Sequence, residues 1–424
     1  MRSTLLLAFS WFVGASAFAA DPPNVLIYLA DDQYLSSVGC YGADPSHTPN
    51  IDRLAREGAR FTRCFTPSSI CTPNRGVLLS GMYPLRNGAH PNHSGFIDGI
   101  KSLPNYMKDA GYRACIVGKD GIQKPSDLYH WEFRIEKSDH PVPGATEEKH
   151  ARHRKTNFDE VKRFLSSGDK RPFCIFHAAS LPHGPELNQI PNGLSGYNAA
   201  NHYMDHELGV YLELLKDNQL DRKTLVIYLN DNEAQLKRTK YTLYDTGVRV
   251  PMAIRWPGYI RPGTTIDTMV STVDVLPTLL DIIGATIPTD SLPMDGISMR
   301  DVWTGKSDLF RKELFFSYTG VIVGKSGRME TPYPVRAIRT DRFKYIRYLN
   351  HRIGHPKYKG QVFPKEEFFD LSRDPNEQIN LADSDAHVDA RRLLSHRLDE
   401  WMSEMNDRGI ESELESLRRY PRRK

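Results

Sequence analysis

The stretch Asn24-Val-Leu-Ile-Tyr-Leu-Ala-Asp-Asp32 joins a run of apolar residues directly to two carboxylates. Its apolar residues are continuous rather than alternating, which is typical of a strand that is buried on both faces. The same arrangement, an apolar run followed by polar residues, occurs three more times along the chain. The further runs are Ala114–Val117 before Gly118-Lys119, Phe173–Phe176 ahead of Pro182-His183, and Leu225–Leu229 before Asn230-Asp231-Asn232. The four runs predict strands of one parallel or mixed sheet.

Segments with helical periodicity lie between these runs, so the pattern predicts an α/β protein with helices on both faces of the sheet. The segments are Ile51–Gly58, Leu103–Ala110, Asp159–Leu165 and Asn201–Leu215. Ligand sites in such sheets form at the carboxyl ends of the strands. Because every polar ending falls at a carboxyl end, we expect one site to collect them all.

Residues 309–424 differ in character from the part before them. Short strands with alternating polarity are predicted at Phe315–Tyr318, Val335–Arg339 and Phe343–Tyr348. A turn-rich link follows over Asp370–Glu377, and an amphipathic helix over Arg391–Met405. We therefore expect a large α/β domain over residues 21–308 that carries the site. A smaller α+β domain over residues 309–424 then has an antiparallel sheet packed on a helix.

Residues 1–20 have the features of an export signal. Arg2 supplies the charged start, Leu5 to Val13 the short apolar run, and Ala17-Phe18-Ala19 the cleavage pattern. The apolar run is too short to span a bilayer, and no later segment approaches the ~20 apolar residues that a span requires. The sequence predicts an exported protein, periplasmic or secreted, without a membrane span.

The composition is that of a soluble globular protein, with 39% hydrophobic residues. The 56 basic and 52 acidic residues give a net charge of +4, which is too balanced to indicate a nucleic-acid partner. The basic cluster from Arg418 to Lys424 is expected to be a solvated tail. Cys115 and Cys174 lie in apolar runs and are expected to be buried free thiols, although an oxidising compartment permits cysteine pairs.

The most distinctive motif is Cys71-Thr-Pro-Asn-Arg75, which has the form C-x-P-x-R. Pro73 suits the first turn of a helix, where its missing N–H costs nothing. A helix that begins here aims free N–H groups and the positive end of its dipole at an anion. Arg75 adds a fixed fork of donors. The motif therefore indicates an anion site beside a cysteine.

An all-oxygen set of side chains follows two of the strands. Its members are Asp31, Asp32, Asp231 and Asn232. Three carboxylates and an amide suit a hard cation such as calcium, or less well magnesium, and do not suit zinc. Either pair alone is also typical of a helix cap or a turn. Beside the C-x-P-x-R motif, the set predicts a cation site.

The chain resembles the type I sulfatases, whose signature cysteine is oxidised to formylglycine before the protein folds. The resemblance covers nearly the whole chain after residue 20, with further landmarks at His47–Gly58, Tyr244–Pro251 and Phe368–Pro375. It implies an alkaline-phosphatase-like fold, in which helices flank a large mixed sheet. It also implies calcium ligation by Asp31, Asp32, Asp231, Asn232 and the modified Cys71, and contacts to the substrate sulfate from Arg75, Lys119, Lys240 and His183.

The chemistry of sulfate release explains why the cysteine is modified. Attack by a thiol on sulfur leaves a stable thiosulfate-like adduct, whereas an aldehyde hydrate has a second hydroxyl whose deprotonation expels the sulfate. The resemblance thus implies hydrolysis of sulfate ester or sulfamate groups of a sulfated carbohydrate, with His183 as the acid for the leaving group. It also implies a formylglycine-generating or other sulfatase-maturating enzyme as a partner.

Four positions depart from the family pattern. The family commonly has Lys-x-His where this chain has Lys119-Asp-Gly121, and that histidine normally helps to eliminate sulfate from formylglycine. We therefore expect slow turnover, unless His90, His93 or His130 substitutes. Ser180 replaces the first histidine of His-x-Pro-His, Glu233 stands where glycine is usual, and Asn74 replaces a serine.

Within the family the chain is most similar to the heparan N-sulfatases (sulfamidases). The residues that carry this similarity are Arg86–His90, Thr331–Arg336 and the compact length. Two alternatives stay open. One is a glycan-binding protein that kept the scaffold and lost its chemistry, and the other is a phosphoesterase of the same superfamily. The C-x-P-x-R motif argues against the phosphoesterase, because such enzymes typically use Ser or Thr and two zinc ions.

Overall fold

The computed structural model describes residues 22–119, 125–145, 153–184, 186–287, 291–323, 329–350 and 364–419. The predicted export signal and Gly121 lie outside these ranges. Two sheets dominate the described residues: an eight-stranded mixed sheet and a four-stranded antiparallel sheet towards the C-terminus. The predicted α/β class, with a large mixed sheet and a smaller C-terminal α+β part, is confirmed.

The strands and helices are numbered along the chain. The strands are β1 (Asn24–Asp31), β2 (Ala59–Phe61), β3 (Cys64–Phe65), β4 (Arg113–Gly118), β5 (Phe133–Ile135), β6 (Lys137–Pro141), β7 (Arg154–Thr156), β8 (Phe173–Pro182), β9 (Thr224–Asn230), β10 (Met252–Arg255), β11 (Thr264–Ile266), β12 (Val270–Ser271), β13 (Glu313–Val323), β14 (Met329–Thr340), β15 (Phe343–Tyr348) and β16 (Glu366–Asp370). The helices are α1 (Pro49–Glu57), α2 (Cys71–Ser80), α3 (Pro84–Asn87), α4 (Leu103–Asp109), α5 (Phe158–Leu165), α6 (Gly196–Asp217), α7 (Asp245–Val248), α8 (Val275–Ile282), α9 (Arg300–Trp303), α10 (Val388–Glu404) and α11 (Ile410–Arg419).

The large sheet has the strand order β11-β2-β10-β9-β1-β8-β4-β5. The five strands from β9 to β5 are parallel, and β10 runs antiparallel to both β9 and β2. The four predicted strands are therefore β9, β1, β8 and β4, which lie side by side. Their continuous apolar sequence reflects their place in the middle of the sheet, where both faces are covered.

The two faces of β1 carry different helices, and all eight of its residues are buried. Leu29 belongs to a core cluster with Leu78 of α2, whereas Leu26 belongs to a second cluster with Leu54 of α1 and Leu208 of α6. Apolar residues on alternating faces thus fix a three-layer arrangement of helix, sheet and helix. The four predicted helices correspond to α1, α4, α5 and α6, and α6 is longer than predicted.

The C-terminal sheet has the order β13-β14-β15-β16, and each pair is antiparallel. Helix α10 packs on it through Trp401, whose ring stacks on Phe315 with centroids 5.0 Å apart. Strand β16 and helix α11 were not predicted, and Arg418 and Arg419 were expected in a solvated tail. Both arginines are exposed, but they end a helix. The division at residues 308 and 309 stays a prediction.

Two further observations concern the cysteines and the helices. Cys40, Cys64, Cys71, Cys115 and Cys174 are free thiols, and burial of Cys115 and Cys174 agrees with the prediction. Among the described residues, no helix combines the length and apolar character that crossing a membrane requires.

Candidate active site

Four parallel strands end side by side at one edge of the large sheet. The register places Ala30 of β1 opposite Asn230 of β9 and Asp31 opposite Pro182 of β8. At the end of β4, the backbone N–H of Lys119 donates to the carbonyl of Ala178 over 2.7 Å. The polar endings that the sequence pattern singled out therefore meet at one place, as predicted.

Helix α2 places Cys71 beside these strand ends. The helix begins at Cys71 and closes at Gly81, which has a φ of 66° and donates its N–H to the Val77 carbonyl. The Cys71 Sγ lies 3.6 Å from Asp31 Oδ1 and 3.7 Å from Asp32 Oδ1. Every residue of α2 is buried. The cysteine is thus held rigidly against the carboxylates at the helix N-terminus.

The predicted metal ligands converge. One potential ligand atom from each of Asp31, Asp32, Cys71 and Asp231 lies within 4.8 Å of the others. Asn232 donates its Nδ2 to Asp32 Oδ1 over 2.7 Å, while its own Oδ1 is buried without a hydrogen-bond partner among the described residues. A buried amide oxygen without a donor is costly, and a cation satisfies it. This donor set fits a hard cation.

Two of the predicted sulfate contacts flank the acidic cluster on the side of α2 and β4. Arg75 donates from Nε to Asp231 Oδ2 over 2.8 Å, and its Nη2 lies 3.4 Å from Asp31 Oδ1. Both terminal guanidinium nitrogens are buried without a hydrogen-bond acceptor among the described residues. Lys119 places its Nζ 2.5 Å from Asp31 Oδ2. The Nη1 and Nη2 groups of Arg75 are therefore donors that a bound anion can accept from.

The other two sulfate contacts lie on the side of Asp32. Lys240 Nζ is 2.6 Å from both carboxylate oxygens of Asp32 and 3.6 Å from Cys71 Sγ. His183 Nε2 lies 3.5 Å from Asp32 Oδ2, and its Nδ1 donates to the Gly184 carbonyl over 2.7 Å. The side chain of His183 is 36% exposed. The imidazole thus stands at the mouth of the site with Nε2 directed inward.

Burial and charge perturb the pKa values of this cluster. Burial raises the pKa of the Cys71 thiol well above its usual value, and the neighbouring carboxylates raise it further. Burial also raises the pKa of Asp231, against the effect of Arg75. For Asp31, burial acts in the same direction, but Lys119 and Arg75 prevail and lower the pKa. The acidic and basic side chains of the site therefore pair with each other.

Three departures from the family pattern have structural roles that sequence analysis missed. Asn74 donates its Nδ2 to the Asp231 carbonyl and accepts from Thr272 Oγ1 over 2.8 Å, so it holds the loop that carries Asp231. Lys137 Nζ lies 2.6 Å from Ser180 Oγ, so a lysine pairs with the serine that replaces histidine. The partners in these contacts are far apart in sequence, so no local pattern predicts them.

Glu233, at the position where the family has glycine, accepts the backbone N–H of Leu35 over 2.7 Å. This bond ties the segment after Asn232 to the segment after Asp32. The side chain is buried. The substitution therefore adds a link between the two loops that carry the acidic residues.

The three histidines offered as substitutes at Gly121 lie in different surroundings. His90 is buried and its Nδ1 lies 2.7 Å from Glu413 Oε2. His93 donates its backbone N–H to Thr72 Oγ1 over 3.1 Å, next to Cys71, and its side chain is exposed. His130 is exposed and its backbone donates to Asn105 Oδ1. Of the contacts just described, those of His93 reach the helix that carries Cys71.

Two family models match the sequence of this chain. Residues 23–285 match the sulfatase model, and residues 237–404 match the model described as N-sulphoglucosamine sulphohydrolase, C-terminal. The chain belongs to the sulfatase family. Sulfatases are hydrolases of sulfuric esters or sulfamates, and the resemblance drawn from the C-x-P-x-R motif is confirmed. The C-terminal match agrees with the similarity to the sulfamidases.

Individual relatives are similar over most of their length. The sulfatase is 32% identical to an ulvan-active sulfatase of Formosa agariphila over 92% of this chain and 82% of the relative. It is 26% identical to the human N-sulphoglucosamine sulphohydrolase over 92% of this chain and 91% of that enzyme. A solved structure in complex with its substrate, D-glucosamine-2-N,6-O-disulfate, has a TM-score of 0.73 at 19% identity, over 92% of this chain and 99% of the other. That likeness shows the fold.

Proposed function

We propose that this sulfatase is exported, binds calcium, and hydrolyses sulfate ester or sulfamate groups of a sulfated carbohydrate through a formylglycine made from Cys71. One observation carries the proposal: an acidic cluster and a set of cationic donors meet around the first residue of α2. The substrate class rests on relatives whose names refer to ulvan and to N-sulphoglucosamine. Export rests on the sequence of residues 1–20.

Calcium is proposed from the donors alone. Asp31, Asp32, Asp231 and Asn232 would hold it, together with the modified Cys71. The unpartnered Oδ1 of Asn232 supports this assignment, because a cation supplies the missing partner of a buried oxygen. Carboxylate and amide oxygens suit calcium, and magnesium less well because it retains water ligands. When bound, calcium would neutralise charge on the sulfate and polarise its sulfur.

The cationic side chains then take the substrate sulfate. The Nη1 and Nη2 groups of Arg75 are buried without a hydrogen-bond acceptor among the described residues, and a planar guanidinium matches an oxyanion in geometry. Lys119 and Lys240, which pair with Asp31 and Asp32 here, gain an anion as a second partner. Preorganised donors of this kind stabilise the charge that develops on the transferring sulfuryl group. The site thus has one set of residues for the cation and another for the anion.

The proton for the leaving group is assigned to His183. Its Nδ1 donates to the Gly184 carbonyl, so Nε2, which faces Asp32, is the atom that would hold the proton taken by the departing oxygen or nitrogen. Formylglycine, when present as its hydrate, supplies the hydroxyl that attacks sulfur. Attack forms a new oxygen–sulfur bond and breaks the sulfur–oxygen bond of the ester or the sulfur–nitrogen bond of the sulfamate, so the sugar leaves as an alcohol or amine. Deprotonation of the second hydroxyl then expels sulfate and restores the aldehyde, which water hydrates again.

Sulfate release by the mature protein tests the proposal. The protein is co-expressed with a sulfatase-maturating enzyme, and sulfate is measured on a panel of O-sulfated and N-sulfated saccharides with Cys71→Ala as the matched blank. We expect release that requires Cys71 and is lost on chelation. Full conversion of Cys71 without release from any saccharide would favour the glycan-binding alternative. Release of phosphate instead of sulfate would favour the phosphoesterase.

A further inference from the structure

A buried ionic network connects the C-terminal helix to the wall of the active site. Glu413 of α11 is fully buried, with Oε2 2.7 Å from His90 Nδ1 and Oε1 2.6 Å from Arg336 Nη2. Arg336 is also fully buried, and its Nε lies 2.7 Å from Asp407 Oδ2. Arg336 is therefore shared by two carboxylates, and Glu413 is the one that continues to His90.

The segment that contains His90 is held on its outer and inner sides. On the outer side, Ser416 of α11 donates its hydroxyl to the Gly88 carbonyl over 3.2 Å. On the inner side, Pro91 forms a bridge with Thr319 of β13. Residues 88–94 are thus enclosed between the C-terminal helix and the C-terminal sheet. Their position depends on both.

The same segment contacts the active-site helix directly after the cysteine. Asn92 Oδ1 accepts the backbone N–H of Thr72 over 3.3 Å, and the backbone N–H of His93 donates to Thr72 Oγ1 over 3.1 Å. His93 has a φ of 66°, a left-handed conformation that costs free energy for a residue with a Cβ. Such a conformation persists only where the surroundings hold it. The contact with Thr72 supplies that support. His93 lies three residues after His90, whose ring pairs with Glu413.

Packing alone does not require charged groups in this place. Burying ions is costly, and apolar residues of similar size hold elements together at least as well. A fully paired buried network instead specifies one relative position. Helix α11 also lies beyond residue 404, where the matched family models end. Glu413 therefore lies outside the matched range, whereas its partners His90 and Arg336 lie within it.

We propose that Glu413 is a positioning residue for the sulfatase site, which acts through His90 to fix residues 88–94 against Thr72 beside Cys71. The inference rests on the proposed function for its kinetic consequence, and on the contacts alone for its structural one. Loss of the Glu413 charge releases the His90 side of the segment. Thr72 then loses a fixed partner for its N–H, and the position of the chain beside Cys71 becomes variable.

The test compares Glu413→Gln with two matched controls in the full-length mature protein. Asp407→Asn removes the other carboxylate of Arg336 and leaves His90 paired, and Glu415→Gln changes an exposed carboxylate on the same helix. The measurements are kcat and KM for a released sulfate, the mass of the Cys71 peptide, and hydrogen exchange of residues 72 and 88–94. Small misplacements near a reacting group cost up to about 100-fold.

We expect Glu413→Gln to lower kcat/KM by about 10- to 100-fold with full Cys71 conversion and faster exchange at residues 72 and 88–94. Asp407→Asn should lower the melting temperature without either effect, and Glu415→Gln should change nothing. The proposal is overturned if Glu413→Gln and Asp407→Asn have equal effects on exchange and on kcat/KM, because Glu413 is then structural only. If the wild-type protein is inactive, the exchange comparison still decides the positioning role, while the proposed function fails separately.

Discussion

Arg75 lies across the carboxylate of Asp231, with Nε donating to Oδ2 over 2.8 Å in a fully enclosed environment. Only this edge of the guanidinium has a hydrogen-bond acceptor among the described residues, since Nη1 and Nη2 are buried without one. A buried guanidinium is expensive unless its donors are used. The arrangement therefore leaves the Nη1 and Nη2 groups of Arg75 able to donate to an anion that binds beside Cys71.

The first prediction tests that use of Arg75. Arg75→Lys keeps the positive charge but removes the fork of donors, so we expect kcat/KM for sulfate release to fall by about 10²–10³-fold. The control is Arg113→Lys, at the first residue of β4 and so at the opposite end of the strand from Lys119. Arg113 is equally buried and donates to the Phe164 carbonyl over 3.1 Å. Equal losses of activity in both variants would count against a role of Arg75 in sulfate binding.

The second prediction concerns the cation. Calcium at 100 times its dissociation constant should raise the free energy of unfolding by about 2.7 kcal/mol, because it binds the folded state. Chelation should lower the melting temperature, and calcium should restore it. Asp231→Asn should abolish the calcium effect. Asp205→Asn should keep it, since Asp205 is a buried carboxylate that accepts backbone N–H groups of α1. A melting temperature that is insensitive to chelation and to calcium would contradict the cation site.

The third prediction concerns the histidine that is missing at Gly121. A general base contributes about 10²–10⁴-fold, so its absence should slow elimination of sulfate from the enzyme and produce a burst of leaving group before slow turnover. Gly121→His should then raise steady-state turnover.

The position of His93 next to Thr72 makes it the first residue to vary if the wild-type protein turns over rapidly without a burst. In that case His93→Ala should slow turnover, and Gly121→His should not help. The buried His90 is a poorer substitute, because its Nδ1 is paired with Glu413. Rapid burst-free turnover that survives His93→Ala would exclude both accounts of elimination.

The fourth prediction concerns stability in acid. Burial raises the pKa of Glu413, but His90 and Arg336 outweigh this effect and lower it from 4.5 to about 2. The ionised form is therefore favoured by folding, and its contribution is complete above the unfolded-state pKa and lost as pH falls from about 4.5 to about 2. We expect the unfolding free energy of the wild-type protein to fall more steeply over this window than that of Glu413→Gln. Parallel pH profiles would contradict the ion pair.

The central strands and the meeting of their ends were predictable because each signal is local. The run from Asn24 to Asp32 indicates both a buried strand and its polar end. Neighbouring parallel strands place their carboxyl ends at the same edge of the sheet. The C-x-P-x-R motif likewise placed Cys71 at the start of a helix. Local patterns of this kind therefore located the acidic cluster and its cysteine.

Other features were not predictable because they depend on contacts between distant residues. One partner of Glu413 is His90, 323 residues earlier, and no sequence pattern within α11 predicts this contact. Lys137 pairs with Ser180 across 43 residues. Strand β16 is five residues long and is identified by its pairing with β15 rather than by its own sequence. Such features arise from tertiary structure, which one sequence does not display.

The mass of the peptide that contains Cys71 tests the central claim most directly. The protein is produced with a sulfatase-maturating enzyme, digested, and compared with a control sulfatase converted under the same conditions. The account predicts that Cys71 is found as formylglycine, whereas the buried Cys64 remains a thiol. A Cys71 peptide that carries only an intact thiol, while the control sulfatase is fully converted, would contradict it.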